Sequence, residues 1–325
     1  MRGSDGSPRV PAWRSPAWRN VLKLLFGLLL VGILFWRLDI HQILNTFRQF
    51  SWPYLLAALG LFVLSWPIAT ARWQLFAPRF AFRHLFELTL IGQFYAVVLP
   101  GQIAGEAVKA YRLAKGSADA ERLAASVAMD RMIGTITLLL VAAGGMALTP
   151  HAIPGPLRQI FLWLIVLLIG GLFVFNIPAI HAMAEKTIVR AAMLPRLQRL
   201  SPVLLRLIHA WRDFARAPWR LLASLLLGLM LQFIALGMYS ILAINLGLSV
   251  SLSDWAWIVG VTSLAMLLPV SIGGIGLREG SLVGCLGYLG VAGEPAIALS
   301  LAIFAITLAG ALIGGVIELA PCWRH

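Results

Sequence analysis

Leu99-Pro100-Gly101-Gln102-Ile103-Ala104-Gly105-Glu106 closes one apolar run. Leu268-Pro269-Val270-Ser271-Ile272-Gly273-Gly274-Ile275-Gly276-Leu277-Arg278-Glu279 closes another. Each reads Leu-Pro, then glycines, then a glutamate. Proline removes a backbone donor and glycine permits tight turns, so each stretch interrupts a helix. The flanking apolar runs, 85–99, 255–268 and 281–289, are short. At about 1.5 Å per residue, a helix of about 15 residues cannot cross a ~30 Å hydrocarbon core. Both stretches therefore read as broken or re-entrant helical hairpins.

Outward from these hairpins lie longer apolar runs at 21–36, 51–71, 123–148, 160–180, 220–246 and 296–317. The chain is 60% hydrophobic and only 12% charged, with a mean hydropathy of +0.87. A soluble domain carries about twice that share of charge. A soluble enzyme, a disordered scaffold and a secreted disulfide module are excluded. The expected fold is an all-α polytopic membrane protein, with about six full spans plus the two hairpins. Residues 1–20 read as a flexible basic cytoplasmic tail, and 21–320 as one integral membrane domain. Its halves, about 21–150 and 155–320, join through a basic cytoplasmic segment, 181–219.

Lys and Arg positions set the orientation, because cytoplasmic loops collect them. If 85–113 and 255–289 each return to the side they entered from, 21 basic residues fall on the N-terminal side and three on the other. Arg131 and Arg278 stay at membrane depth. A single crossing by 85–113 would put the most basic segment outside. Both termini are thus expected in the cytoplasm, and the net charge of +13 needs no nucleic acid. The second half then starts from the opposite side to the first and repeats its order of elements. Inverted halves with interrupted helices in matching places are a transporter layout.

The charged residues within this apolar frame are the candidate site. A carboxylate or guanidinium at membrane depth is costly and marks a pathway or binding site. Pro100, Gly101, Gly105 and Glu106 form the first cluster; Gly273, Gly274, Gly276, Arg278 and Glu279 form the second. Asp130-Arg131 lies inside the span 123–148. Neighbours on a helix do not face each other, so each needs a partner elsewhere, with Glu106 or Glu279 available to Arg131. Arg112, Arg131 and Arg278 would attract an anionic headgroup, with the two glutamates balancing them. From Ser201-Pro202 a basic amphipathic helix is expected on the inner leaflet, with Arg206, Trp211, Arg212 and Arg216. The six histidines stand alone, and Cys285 and Cys322 have no zinc spacing, so no metal and no cofactor are expected.

The ordered set Leu99-Pro100-Gly101…Gly105-Glu106…Lys109…Tyr111-Arg112, Glu121-Arg122…Ser126…Asp130-Arg131 and Pro269…Gly273-Gly274-Ile275-Gly276…Arg278-Glu279 resembles a known family. It is similar to the flippase-like integral membrane domain of the lysylphosphatidylglycerol synthetase family, over most of 20–320. That resemblance implies movement of a lipid with an anionic, aminoacylated or glycosylated headgroup between leaflets of a bacterial inner membrane. Membrane lipids would be its partners, together with a lipid-synthesis enzyme. The polar segments are too short to form a soluble aminoacyl-transferring domain, so lysyl transfer is not implied. Two other readings stand beside it: an integral-membrane transferase on a lipid-linked substrate, and a non-catalytic membrane partner of a lipid-synthesis enzyme.

Overall fold

The run after Ser51 becomes the first described helix, α1 (Trp52–Gln74). Ser51 is extended, and Pro53 sits in the first turn, where its missing N–H costs nothing. In the computed structural model the described residues are 50–99, 103–114, 120–149, 155–175, 217–268, 271 and 273–319, with isolated positions at 48, 183, 186–188, 190, 201, 205 and 209. The tail, the run 21–36 and nearly all of the expected inner-leaflet helix, including Arg206, Trp211, Arg212 and Arg216, lie outside them. So do Pro100 and Gly101.

The remaining helices are α2 (Phe82–Val98), α3 (Ile103–Ala114), α4 (Ala120–Leu148), α5 (Gly155–Phe175), α6 (Pro218–Asn245), α7 (Leu252–Leu267), α8 (Leu277–Tyr288) and α9 (Gly293–Leu319). No strand occurs among the described residues. The architecture is that of an all-α polytopic membrane protein. Four stretches, Trp52–Gln74, Leu123–Leu148, Pro218–Asn245 and Gly293–Glu318, are long and apolar enough to cross a bilayer. The two broken regions form hairpins, α2 with α3 and α7 with α8. At about 1.5 Å per residue these arms reach only about 18–26 Å, short of a ~30 Å core. Ser251 caps α7 by accepting from the Asp254 N–H at 3.1 Å, and Asp254 in the first turn complements the helix dipole.

Helix pairing has an internal regularity. Exchange α1 with α6, α2 with α7, α3 with α8 and α4 with α9. The α1/α6 contact maps onto itself, α2/α9 becomes α7/α4, α1/α2 becomes α6/α7, and α1/α9 becomes α6/α4. The hairpins exchange, as do α3/α4 and α8/α9. Each hairpin therefore packs mainly against the long helix of the other half. Close backbone approach makes this possible. A Cβ at Gly145 would strike the Ser253 carbonyl of α7, and one at Gly314 would strike the Leu90 carbonyl of α2. Small residues at such crossings are how membrane helices gain contact without a hydrophobic driving force. The largest apolar core gathers around Trp255, Trp257, Leu242, Leu282 and Leu299.

Candidate functional site

The first hairpin closes because two glycines meet. A Cβ on Gly105 of α3 would run into the Gly92 carbonyl of α2, with the Ala96 side chain 3.0 Å away. The Lys109 side chain crosses over Gly92 and carries its ammonium to Glu106, 3.1 Å from Oε1 and 3.0 Å from Oε2. The same ammonium stands 5.3 Å from the centre of the Trp73 ring, within cation–π range. The Trp73 indole N–H donates to Ser126 Oγ at 3.3 Å. Gly105→Leu is expected to displace α3 from α2, because backbone cannot yield as a flexible side chain can. Overpacking of this kind costs about 1–3 kcal/mol. A lowered unfolding midpoint in detergent checks it; an unchanged midpoint would refute the contact.

Next to this pair, Arg72 of α1 grips Asp130 of α4 with both arms of its fork, Nε to Oδ1 at 2.7 Å and Nη2 to Oδ2 at 3.1 Å. Both residues are buried. The guanidinium lies against Gly134, whose added Cβ would sit 3.2 Å from Nη1. One turn further along α3, Arg112 pairs with Glu318 near the end of α9, and the Tyr95 hydroxyl donates to the same carboxylate at 3.2 Å. Six charges thus form three ion pairs, one within α3, one tying α1 to α4 and one tying α3 to α9.

The second hairpin turns on three left-handed glycines, Gly273 (φ 60°), Gly274 (φ 74°) and Gly276 (φ 85°), a conformation that side chains other than glycine's resist. Glu279 Oε2 accepts from the Gly276 N–H at 2.5 Å. Its Oε1 accepts from Ser300 Oγ of α9 at 2.8 Å and from Arg278 Nη2 at 3.1 Å. Arg278 Nε donates to Ser300 Oγ at 3.0 Å, and the guanidinium lies 5.0 Å from the Phe304 ring centre. Arg278 is 2% exposed and Glu279 5%. The two tips touch: a Cβ at Gly273 would lie 3.2 Å from the Val97 carbonyl of α2 and 3.6 Å from Phe304.

Sequence reasoning found most of these positions but misassigned their partners. Arg131 is not paired with Glu106 or Glu279, which are taken by Lys109 and Arg278. Asp130 belongs to Arg72, which stands just past the apolar run 51–71. Of the three arginines expected to attract an anion, Arg112 and Arg278 are committed to carboxylates. Arg131 is half-buried and has no acidic partner among the described residues. It lies on the helix face of Ala124, Ala128 and Thr135, of which Ala128 is exposed. Arg72, Trp73, Tyr95, Ser300, Phe304 and Glu318 join the two clusters without any signal in the motifs, and Lys109, quoted only within a motif, joins them as the partner of Glu106. A charge inside or at the end of an apolar run was the available signal for Arg72 and Glu318. Among the described residues no group of acids, histidines and cysteines could hold a metal ion.

A multi-pass helical membrane protein with ion pairs buried behind two touching hairpins is the class that fold and site define. Residues 20–315 match the lysylphosphatidylglycerol synthase TM region, and the chain belongs to that family. No curated protein and no solved structure gives a significant match.

Proposed function

We propose that the protein moves a lipid between the leaflets of a bacterial inner membrane, passing its anionic, aminoacylated or glycosylated headgroup beside the hairpins while the acyl chains stay in lipid. The observation that carries this reading is Arg131. Six charges at the first hairpin neutralise one another, and a seventh, half-buried, has no acid opposite it among the described residues. An intramembrane guanidinium without a carboxylate is suited to a phosphate, whose geometry its planar fork matches. Membership in a lipid-related membrane family supports the reading, as does the pairing of helices across the halves. The positive-inside bias supports a cytoplasmic side for the Arg72–Asp130 end of the bundle and for both termini. The halves are then inverted repeats, each lending a hairpin to the other.

The test is leaflet exchange in proteoliposomes, using fluorescent anionic, zwitterionic and lysyl-modified phospholipids. Arg131→Ala removes a charge-assisted hydrogen bond of about 1.5–3 kcal/mol. That predicts about tenfold or greater slowing, at about 1.4 kcal/mol per tenfold. Arg131→Lys should retain part of the rate. Exchange by Arg131→Ala at the wild-type rate for every lipid moved would refute the assignment.

A further inference from the structure

The last turn of α1 has two faces. Arg72 and Trp73 point into the ion-pair cluster. Ala71, Gln74 and Leu75 turn the other way and, with Pro78 and with Trp219 and Arg220 of α6, line a groove of about 230 Å³. The groove lies where two membrane-spanning helices end, at the level where tryptophan collects at the bilayer–water interface. Its one charged group is Arg220, which has no acidic partner among the described residues and lies 5.8 Å from the Trp219 ring centre. The Gln74 amide nitrogen donates one hydrogen to the Phe80 carbonyl at 3.2 Å, which leaves its second N–H as a donor. α6 begins here without a side-chain cap, so its positive end adds to Arg220.

Below the groove α6 presents an exposed apolar stripe: Trp219, Leu222, Leu226, Met230 and Phe233. The spacing of three and four keeps all five on one helix face. From Trp219 to Met230 the stripe runs about 16 Å at about 1.5 Å per residue, close to one leaflet of a ~30 Å core. A cationic, amide-bearing recess heading a leaflet-long apolar track has the shape of one phospholipid. A free anion would use only the recess.

We propose that this groove is a second lipid site, separate from the hairpins. It holds an anionic phospholipid that stays bound, with its phosphodiester on Arg220 and Gln74 and an acyl chain along Trp219–Met230. The occupant bears on the turn of α1 that positions Arg72, so it steadies the Arg72–Asp130 pair from outside.

Native mass spectrometry and thermal unfolding of the delipidated full chain in detergent test this, with phosphatidylglycerol, phosphatidylcholine or inorganic phosphate added. Wild type is expected to retain phosphatidylglycerol about fivefold better than phosphatidylcholine and to melt higher with it. Arg220→Ala should lose that preference, Arg220→Lys should keep most of it, and Arg158→Ala, at an exposed arginine of α5, should leave it unchanged. Retention by Arg220→Ala equal to wild type overturns the proposal. So does an equal loss in Arg158→Ala, which would make the preference an effect of overall surface charge. An equal melting shift with inorganic phosphate alone would make the groove a simple anion site and also overturn it.

Discussion

Arg278→Ala is expected to leave little folded protein. Glu279 would keep its place in the tip, bonded to the Gly276 N–H and Ser300, but would lose its counter-charge in a setting with almost no water. Removing one member of a buried pair costs about 3–5 kcal/mol, because the other remains as an uncompensated charge. That is a large share of a typical total stability of about 5–15 kcal/mol. The pair itself contributes less than this loss implies. Arg278→Met combined with Glu279→Gln should therefore recover most of the folded yield, since glutamine can still meet the Gly276 N–H and Ser300. Yield of monodisperse protein and the unfolding midpoint in detergent are the readouts. A fully folded Arg278→Ala would mean that water reaches the tip and that Arg278 is open to a substrate after all. The residue must accordingly be tested for stability before any transport defect is assigned to it.

The second large effect is at Arg72. Arg72→Asp would set two carboxylates against each other in the space of one ion pair, with Glu106 close by on α3. Coulomb repulsion at such separations is worth about 4 kcal/mol even at an effective dielectric of about 20. Loss of the folded protein is expected. Asp130→Arg alone should do the same with the opposite sign. The exchanged pair, Arg72→Asp with Asp130→Arg, should regain at least half the loss, limited by Gly134, against which the present guanidinium rests. A double-mutant cycle with no coupling between positions 72 and 130 would show that the pair does not hold α1 to α4.

The hairpins were legible in the sequence because hydrocarbon thickness sets a minimum length, and runs such as 85–99 fall below it beside Leu-Pro and glycine. Partners were not legible. Asp130 and Arg131 are adjacent in the chain, yet one turns into the bundle toward Arg72 and the other onto a half-exposed face. Arg278 and Glu279 are equally adjacent and do pair, because they stand in the first turn of α8, where both meet Ser300. Nothing in a one-dimensional pattern separates these cases. Ser300 and Phe304 were invisible for a different reason: within an apolar span, a serine or phenylalanine carries no sign that it faces a charge. Lys109 was read as part of a motif, but its reach across Gly92 to Trp73 depends on the hairpin having closed.

The exchange of partners between halves also bears on how the chain is made. α2 ends at Val98 and packs on α9, which begins at Gly293. At about 5–20 residues per second, ribosomal synthesis delivers the start of that partner roughly 10–40 s later. During that interval the first hairpin has neither the backbone seat beside Gly314 nor Glu318 for Arg112. Its arms cannot span the bilayer alone, so the nascent hairpin has to wait at the membrane surface or against the insertion machinery. A chain released before α9 would therefore be missing the seat of a hairpin completed some 200 residues earlier.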